Sequence, residues 1–345
     1  MSFSSFPEAT NVPLRGGPVL RWGVLAPGAI AHDWVTTLHA NTDQRVVAVA
    51  SRSAERAERF AQTHGVGRWY DRYDALVGDP EVDVVYIAAP HTEHRALALL
   101  AIDAGKHVLI EKPIAVSAEQ ASEIAIAART AGVFAMEAMW SRFLPQTTII
   151  RRLLDDGALG DPVGAAATFA GRFEYDPTSR AFDPALGGGS LLDLGVYTLW
   201  WAHFCLGRPT SVHATGELAP TGVDADARVV LGWGETVSAS SFTSMNVDLP
   251  ITAMVAGSEG LRLDVEPFVA PGAFRIGRLD GGAAHWEDET GLRWRDGLCY
   301  QATAVAAHIA AGRLEAPEHP LETSIELLAI IDDARRQLGV AGAAA

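Results

Sequence analysis

Two stretches of this chain carry side chains whose types and spacing suit proton transfer. The first is Glu111-Lys112-Pro113, directly after the apolar run Val108-Leu109-Ile110. A lysine at the end of a buried strand, just before a proline, is presented at a fixed point. Lysine pKa values fall readily on desolvation or beside another cation. Alone, such a lysine is most often a solvated charge. The second stretch is Gly187-Gly188-Gly189-Ser190-Leu191-Leu192-Asp193-Leu194-Gly195-Val196-Tyr197. Asp193 and Tyr197 stand at i and i+4 and share one face of a helix. A tyrosine hydroxyl, with a reference pKa of about 10, needs a neighbouring cation before it works as a base. Lys112 would supply that cation if the regions holding the two residues close on each other. On an isolated helix, Tyr197 reads instead as a half-buried tyrosine with its hydroxyl at the surface.

The elements that must position these residues alternate. From Val19, short apolar strands are interleaved with helical segments, the signature of βαβ units and a parallel sheet. Strands are expected at 21–25, 45–50, 83–89, 107–110 and 133–136. Helices are expected from Pro27-Gly28 to about Ala40, at 54–63, at 92–104, and from a Ser117/Gln120 capping box to Thr130. Ser53 caps the second of these and Gly65 stops it. After about residue 140 the texture changes. A helix at 145–155 and an extended segment at 163–173 lead to the glycine turn and an apolar helix at 191–205. From Thr210 to Trp286 strands are broken by Gly, Pro and Asp, as in a largely antiparallel sheet. Helices at 300–311 and 321–338 close the chain, and the Ala-rich tail at 341–345 reads as frayed. The expected fold class is α/β: a Rossmann-like doubly wound parallel sheet over 19–140, then an α+β domain over 141–339 with a large, mostly antiparallel open-faced sheet.

Ala26-Pro27-Gly28-Ala29-Ile30-Ala31 lies between the first strand and its helix. There a dinucleotide fold needs a tight turn and close backbone approach to the pyrophosphate. Against G-x-G-x-x-G/A, Gly28 and Ala31 fit and Ala26 replaces the first glycine, so the motif rests on its context. At the end of strand two, Ser51-Arg52-Ser53 offers no carboxylate for a ribose diol. A guanidinium with hydroxyl donors suits a 2′-phosphate better, which favours NADP(H) and leaves NAD(H) open. Ala89-Pro90-His91-Thr92-Glu93-His94 follows the strongest strand, at the carboxyl edge beside the cofactor crevice. Ala89, Pro90, His91 and His94 therefore join Glu111 and Lys112 as expected cofactor neighbours, with His94 equally suited to a structural hydrogen bond. Trp140, Arg142 and Phe143 lie at the domain junction, a preferred place for small-molecule pockets. Trp140 and Phe143 suit either a wall for a ring-shaped substrate or packing at the hinge. No histidine or cysteine cluster has metal-ligand spacing.

At 345 residues the chain has room for roughly two domains. Its net charge of −15 argues against nucleic acid or anionic membrane as the main partner. A phosphate-bearing cofactor needs only local donors and stays possible. Cys205 and Cys299 form no framework and suit a reducing cytosol, each as a small core hydrophobe. Nothing in residues 1–17 reads as a secretion signal, and no stretch is long and apolar enough to span a bilayer. A cytoplasmic location is expected.

From Trp22 to about Gly339 the chain resembles the glucose–fructose oxidoreductase/inositol dehydrogenase (Gfo/Idh/MocA) family of two-domain dehydrogenases. Glu111-Lys112-Pro113 is its most specific signature. Within the family it is most similar to the branch of dimeric dihydrodiol dehydrogenases and NADP-dependent D-xylose dehydrogenases. Three stretches carry that similarity: Glu137-Ala138-Met139-Trp140-Ser141-Arg142-Phe143-Leu144-Pro145, Ser179-Arg180-Ala181-Phe182-Asp183-Pro184, and Gly187 to Tyr197. Most family members have a histidine where this chain has Tyr197. The resemblance implies Lys112 and Tyr197 as the catalytic pair, Asp193 orienting or contacting the sugar, and Trp140 and Arg180 as substrate contacts. It implies a homodimer or higher oligomer stacked through the open sheet faces, which fits the strand-rich stretch 210–286. The activity implied is NADP(H)-dependent oxidation of a sugar or cyclic polyol, with the anomeric hydroxyl of an aldose (D-xylose- or D-glucose-like) as first choice. Ring-position sugar oxidation or ketose reduction, trans-dihydrodiol oxidation and a non-catalytic NADP sensor are the alternatives. A sensor needs neither Lys112 nor Tyr197.

Overall fold

A computed structural model describes residues 6–278 and 281–340, so the Ala-rich tail lies outside the described residues. The chain packs as two compact units. One comprises Asn11–Phe143 and Trp294–Ile325; the other comprises Leu144–Arg293, the N-terminal stretch ending at Thr10 and the C-terminal stretch from Glu326. This corrects the expectation of one cut near residue 140, because the chain returns to its first unit at Trp294.

The first unit is built on β1 (Arg21–Leu25), α1 (Ala29–Asn41), β2 (Arg45–Ala50), α2 (Ala54–His64), β3 (Arg68–Tyr70), α3 (Tyr73–Val77), β4 (Val84–Ile87), α4 (His94–Asp103), β5 (His107–Ile110), α5 (Ala118–Ala131) and β6 (Ala135–Glu137). Its six strands are all parallel in the order β3-β2-β1-β4-β5-β6. The chain reverses its direction of winding between β1 and β4, which opens a crevice beyond their carboxyl ends. β4 is buried at all four positions and β5 at Val108, Leu109 and Ile110, as suits strands covered on both faces. Beneath β1, Trp34 stacks on Tyr86 with centroids 4.2 Å apart and Trp22 meets Trp34 edge-on at 5.1 Å.

Local signals place the helix ends. Ser53 Oγ accepts the Arg56 N–H at 3.3 Å, and Gly65 stops α2 at φ 65°. Ser117 Oγ likewise accepts the Gln120 N–H at 3.3 Å. Gln120 Oε1 is buried without a partner, so the reciprocal half of the expected capping box does not form. The short β3 and α3 were not expected, and β6 starts two residues later than its apolar run suggests.

The second unit begins with α6 (Pro145–Asp155) and β7 (Pro162–Ala170) and continues through α7 (Val196–Leu206). β8 (Ser211–Leu218), β9 (Asp224–Trp233), β10 (Val237–Ser244), β11 (Thr252–Gly257), β12 (Arg262–Glu266), β13 (Ala273–Gly277) and β14 (Ala283–Glu287) follow. The eight strands run in the order β14-β13-β12-β11-β7-β10-β9-β8, antiparallel throughout except for the parallel pair β7 and β10. α7 lies against β7 and β10 with Trp200 and Trp201 buried. On the opposite face alternate side chains such as Arg228 and Val230 are exposed. That face carries a depression of about 520 Å³ bordered by Met254, Arg262, Asp264, Arg275 and His285.

The return segment supplies α8 (Cys299–Ala310), which packs on α1, and α9 (Leu321–Leu338) starts in the first unit. Thr37 Oγ1 donates to the Asp296 carbonyl at 2.6 Å and Arg295 pairs with Asp33, fixing the return. Both cysteines are buried, and burial pushes both thiols up. Among the described residues no helix is long and apolar enough to cross a membrane, and no group of three or more His, Cys, Asp or Glu could hold a metal ion.

Candidate active site

The loop between β1 and α1 turns tightly into the helix. Ala26 adopts φ 56°, the left-handed conformation that favours glycine, and its N–H donates to the Ala50 carbonyl at 3.0 Å. Gly28 has extended backbone, with φ −102° and ψ −170°, which any residue can adopt. A Cβ there would meet only the Ala88 carbonyl oxygen, at 3.8 Å. The protein itself therefore does not require glycine at 28; the space in front of it suits a ligand approaching the backbone. No side chain caps α1 and no acid lies in its first turn. Ala31 and His32 donate to the Gly28 carbonyl, so Ala29 and Ile30 present the leading N–H groups of the helix to an anion. These features fit a nicotinamide dinucleotide.

At the end of β2, Ser51 is buried and its Oγ accepts the Ser53 N–H at 3.3 Å, while Ser53 caps α2. Arg52 is exposed, and its Nη1 lies 3.3 Å from Glu93 Oε1. The Ser51-Arg52-Ser53 stretch itself carries no carboxylate. The turn after β4 brings one, from forty-one positions downstream.

The Glu111-Lys112-Pro113 turn is clamped from inside. Glu111 is buried, accepts Tyr86 Oη–H at 2.6 Å through Oε1, and takes the Lys112 N–H at 3.2 Å through Oε2. Burial pushes its carboxyl above the usual range, against the Tyr86 hydrogen bond and the Lys112 charge. His94 is fully buried, with Nδ1 2.8 Å from the Pro113 carbonyl and Nε2 2.9 Å from the Ala89 carbonyl. Both nitrogens are spent on backbone, so the structural alternative replaces the expected cofactor contact. Burial holds its pKa below the ordinary value, opposed by those carbonyls. Glu137, also buried, takes the Ile114 N–H at 2.9 Å through Oε1. Its Oε2 lies 2.8 Å from His319 Nε2 and 2.7 Å from Ser324 Oγ. Burial pushes this carboxyl up, but the His319, Ser324 and Ile114 donors outweigh it and hold it below its usual range. Lys112 itself is half-buried, at the top of this support.

Ala89 and Pro90 are half-buried, and His91 is buried 5.8 Å from the His94 ring. Trp140, Arg142 and Phe143 form a buried 3-10 turn, and Arg142 Nε donates to the Glu318 carbonyl at 2.9 Å. Arg142 thus ties its turn to the return segment, and burial favours packing for Phe143.

In the second unit, the three glycines meet different demands. Gly187 has φ 75°; a Cβ on Gly188 would lie 2.8 Å from the Ala181 carbonyl oxygen; Gly189 has φ 119°. The expected continuous helix is a π turn over Leu191–Gly195 followed by α7, and such turns are frequent at functional sites. Asp193 and Tyr197 are both nearly buried. Arg180 Nη2 donates to Asp193 Oδ2 at 3.1 Å, and the Tyr197 ring lies 5.6 Å from Phe169. Sequence reasoning missed Glu93, His319, Ser324 and Asp224. For His319 and Ser324 no local pattern points to a partner at Glu137. Asp224 carried a signal, a carboxylate opening the apolar strand Asp224–Trp233.

Known proteins resemble this chain over most of its length. An oxidoreductase family with an NAD-binding Rossmann fold matches residues 20–139, and the Gfo/Idh/MocA C-terminal domain matches 148–261. Trans-1,2-dihydrobenzene-1,2-diol dehydrogenase of Mus musculus is 36% identical over 330 residues, covering 93% of this chain and 97% of that protein. A 3-ketoreductase from Actinomadura kijaniata, solved with NADP and TDP-benzene, has a TM-score of 0.79 at 28% identity, over 92% of this chain and 98% of that one. Aldose-aldose oxidoreductase from Caulobacter crescentus, complexed with glycerol, has a TM-score of 0.82 at 24% identity, over 92% and 97%, a likeness of fold alone.

Proposed function

This chain belongs to the Gfo/Idh/MocA oxidoreductase family, and from that premise we propose that it oxidises the anomeric hydroxyl of an aldose, D-xylose- or D-glucose-like, with NADP as acceptor. It is an NAD(P)-binding, sugar-type dehydrogenase acting on CH–OH groups. The observation that carries the finer reading is the pairing of Arg180 with Asp193, one turn before Tyr197 on the same helix start. A carboxylate so oriented can accept from a sugar hydroxyl while a phenolate beside it takes the proton of the reacting one.

The bound dinucleotide supplies two-electron oxidation. The backbone of Ala26, Pro27, Gly28, Ala29 and Ile30 holds its pyrophosphate, and Arg52 with Ser51 and Ser53 faces the 2′-phosphate. Ala89, Pro90 and His91 border it. Tyr197 accepts the hydroxyl proton, and Lys112 stabilises the phenolate by its charge. Arg180 and Trp140 contact the sugar, and an aldonolactone leaves. A homodimer stacked on the open face of the eight-stranded sheet accompanies this reading.

The test is a panel of aldoses, ring-oxidisable sugars and a trans-dihydrodiol, run with NADP and NAD side by side. Lys112→Ala and Tyr197→Phe should each lose most of the turnover and still bind NADPH. Near-normal rates in either variant would refute the acid–base assignment. Substituting Arg52→Asp should weaken NADPH more than NADH. Trans-dihydrodiol oxidation is the second reading, favoured by the similarity to the mouse enzyme, and would emerge as that substrate outrunning every sugar.

A further inference from the structure

Asp224 has no part in the chemistry described so far, yet it is a fully buried carboxylate at the heart of the second unit. It opens β9 beside a bulge, where Glu217 pairs with Asp226 and Leu218 with Asp224, leaving Ala225 as the extra residue. Bulges re-aim side chains. Arg228 and Val230, at the same parity along the strand, are exposed, whereas Asp224 turns inward to the glycine turn. Its Oδ2 accepts the Leu191 N–H at 2.6 Å and Ser190 Oγ–H at 2.9 Å. A Cβ on Gly189 would stand 2.5 Å from Oδ1.

These contacts fall where the π turn begins. The first N–H groups of a helix lack partners within it, and a side chain just upstream usually supplies the acceptor. Here Ser190 has helical dihedrals and makes no side-chain cap; its hydroxyl is given to Asp224 instead. The acceptor for Leu191 comes instead from the first residue of β9. Asp193 lies two residues beyond this anchor, and Tyr197 follows the end of the π turn. Any shift of Leu191 is passed to both.

We propose that Asp224 is a positioning residue of the site, capping from β9 the turn that sets where Asp193 and Tyr197 stand. This rests on the reading of Tyr197 as proton acceptor. A misplacement of about 1 Å costs on the order of 100-fold in rate. Asp224→Ala should therefore lower kcat on the best substrate of the panel by about that factor, with sugar KM changed less. NADPH affinity, set in the other unit, should stay within about twofold of the parent value. Asp224→Asn keeps an oxygen for the Leu191 N–H and should recover kcat to within about tenfold of the parent.

Amide hydrogen exchange over residues 189–200 should rise in Asp224→Ala and recover in Asp224→Asn. A merely structural carboxylate would lower the unfolding temperature without this graded recovery of kcat at low temperature. If Asp224→Ala does not fold, Ser190→Ala removes the hydroxyl that holds the same carboxylate and should raise exchange over 189–200 and lower kcat in the same direction, by a smaller factor. Unchanged exchange, or a folded variant turning over at the parent rate, overturns the proposal. If the parent protein oxidises nothing in the panel, the proposed function fails, and the exchange measurement still decides whether Asp224 holds the turn.

Discussion

Asp224 also makes a quantitative prediction about stability. Its carboxyl is pushed up to about 6 from 3.8, chiefly by burial, against the Leu191 N–H, the Ser190 hydroxyl and the charge of Arg335. The folded protein thus holds this proton more tightly than the unfolded chain. Between about pH 4 and pH 6 the native state binds more protons, so stability falls as pH rises through that window. A shift of about two units corresponds to about 3 kcal/mol, fully expressed above pH 7. Asp224→Asn has no proton to lose. Urea unfolding of both proteins at several values from pH 4 to pH 8 isolates the effect, because the other carboxylates cancel in the difference. The stability of the variant relative to the parent should rise by about 3 kcal/mol from pH 4 to pH 8, most of it before pH 7. A flat difference would mean that Arg335 and the two donors balance burial. A difference of opposite sign would mean a depressed carboxyl, and either result refutes the reasoning.

Glu93→Gln should tighten NADPH about two- to fivefold at low salt by freeing Arg52, move NADH less than twofold, and lose most of its effect at high ionic strength. Equal shifts for both nucleotides in a fluorescence titration would dismiss Glu93 as a competitor for the guanidinium. Ala26→Gly relieves a left-handed alanine and should raise the unfolding temperature by about 1–3 °C, part of the gain being offset by the freer unfolded chain. His319→Ala leaves the Glu137 carboxylate buried with fewer donors and should cost about 3 kcal/mol in denaturant unfolding. A loss under about 1 kcal/mol would mean that Ser324 and the Ile114 N–H suffice.

The parts of this fold that could be read from the chain are those whose causes are local. Ser53 and Gly65 bound α2 because a hydroxyl and a left-handed glycine act within one turn. Likewise β1, β2 and β5 fall on their expected residues because each is a short apolar run. The single domain cut could not be read correctly. The return at Trp294 is held by contacts such as Thr37 with Asp296, which leave no mark at either end of the sequence. Glu93 was legible as a residue but not as a neighbour of Arg52, since only the sheet order brings the ends of β2 and β4 near each other. His94 was left open between two roles because its partners are backbone carbonyls, which no side-chain pattern announces.

The glycines show most directly where protein demands end and ligand demands begin. At 188 and 189 a Cβ would meet a carbonyl oxygen or the Asp224 carboxylate at under 3 Å, so the protein's own packing accounts for glycine there. At 28 neither dihedral nor neighbour forbids a side chain, yet the residue is glycine at the mouth of a helix whose leading N–H groups face outward. At 26 the situation is inverted, with a left-handed conformation kept although the residue is alanine. The contacts the protein makes with itself explain neither the strain at 26 nor the space at 28. Both would follow if the turn must bring its backbone against a pyrophosphate, as the proposed role of this loop requires, although it matches the dinucleotide pattern at only two positions.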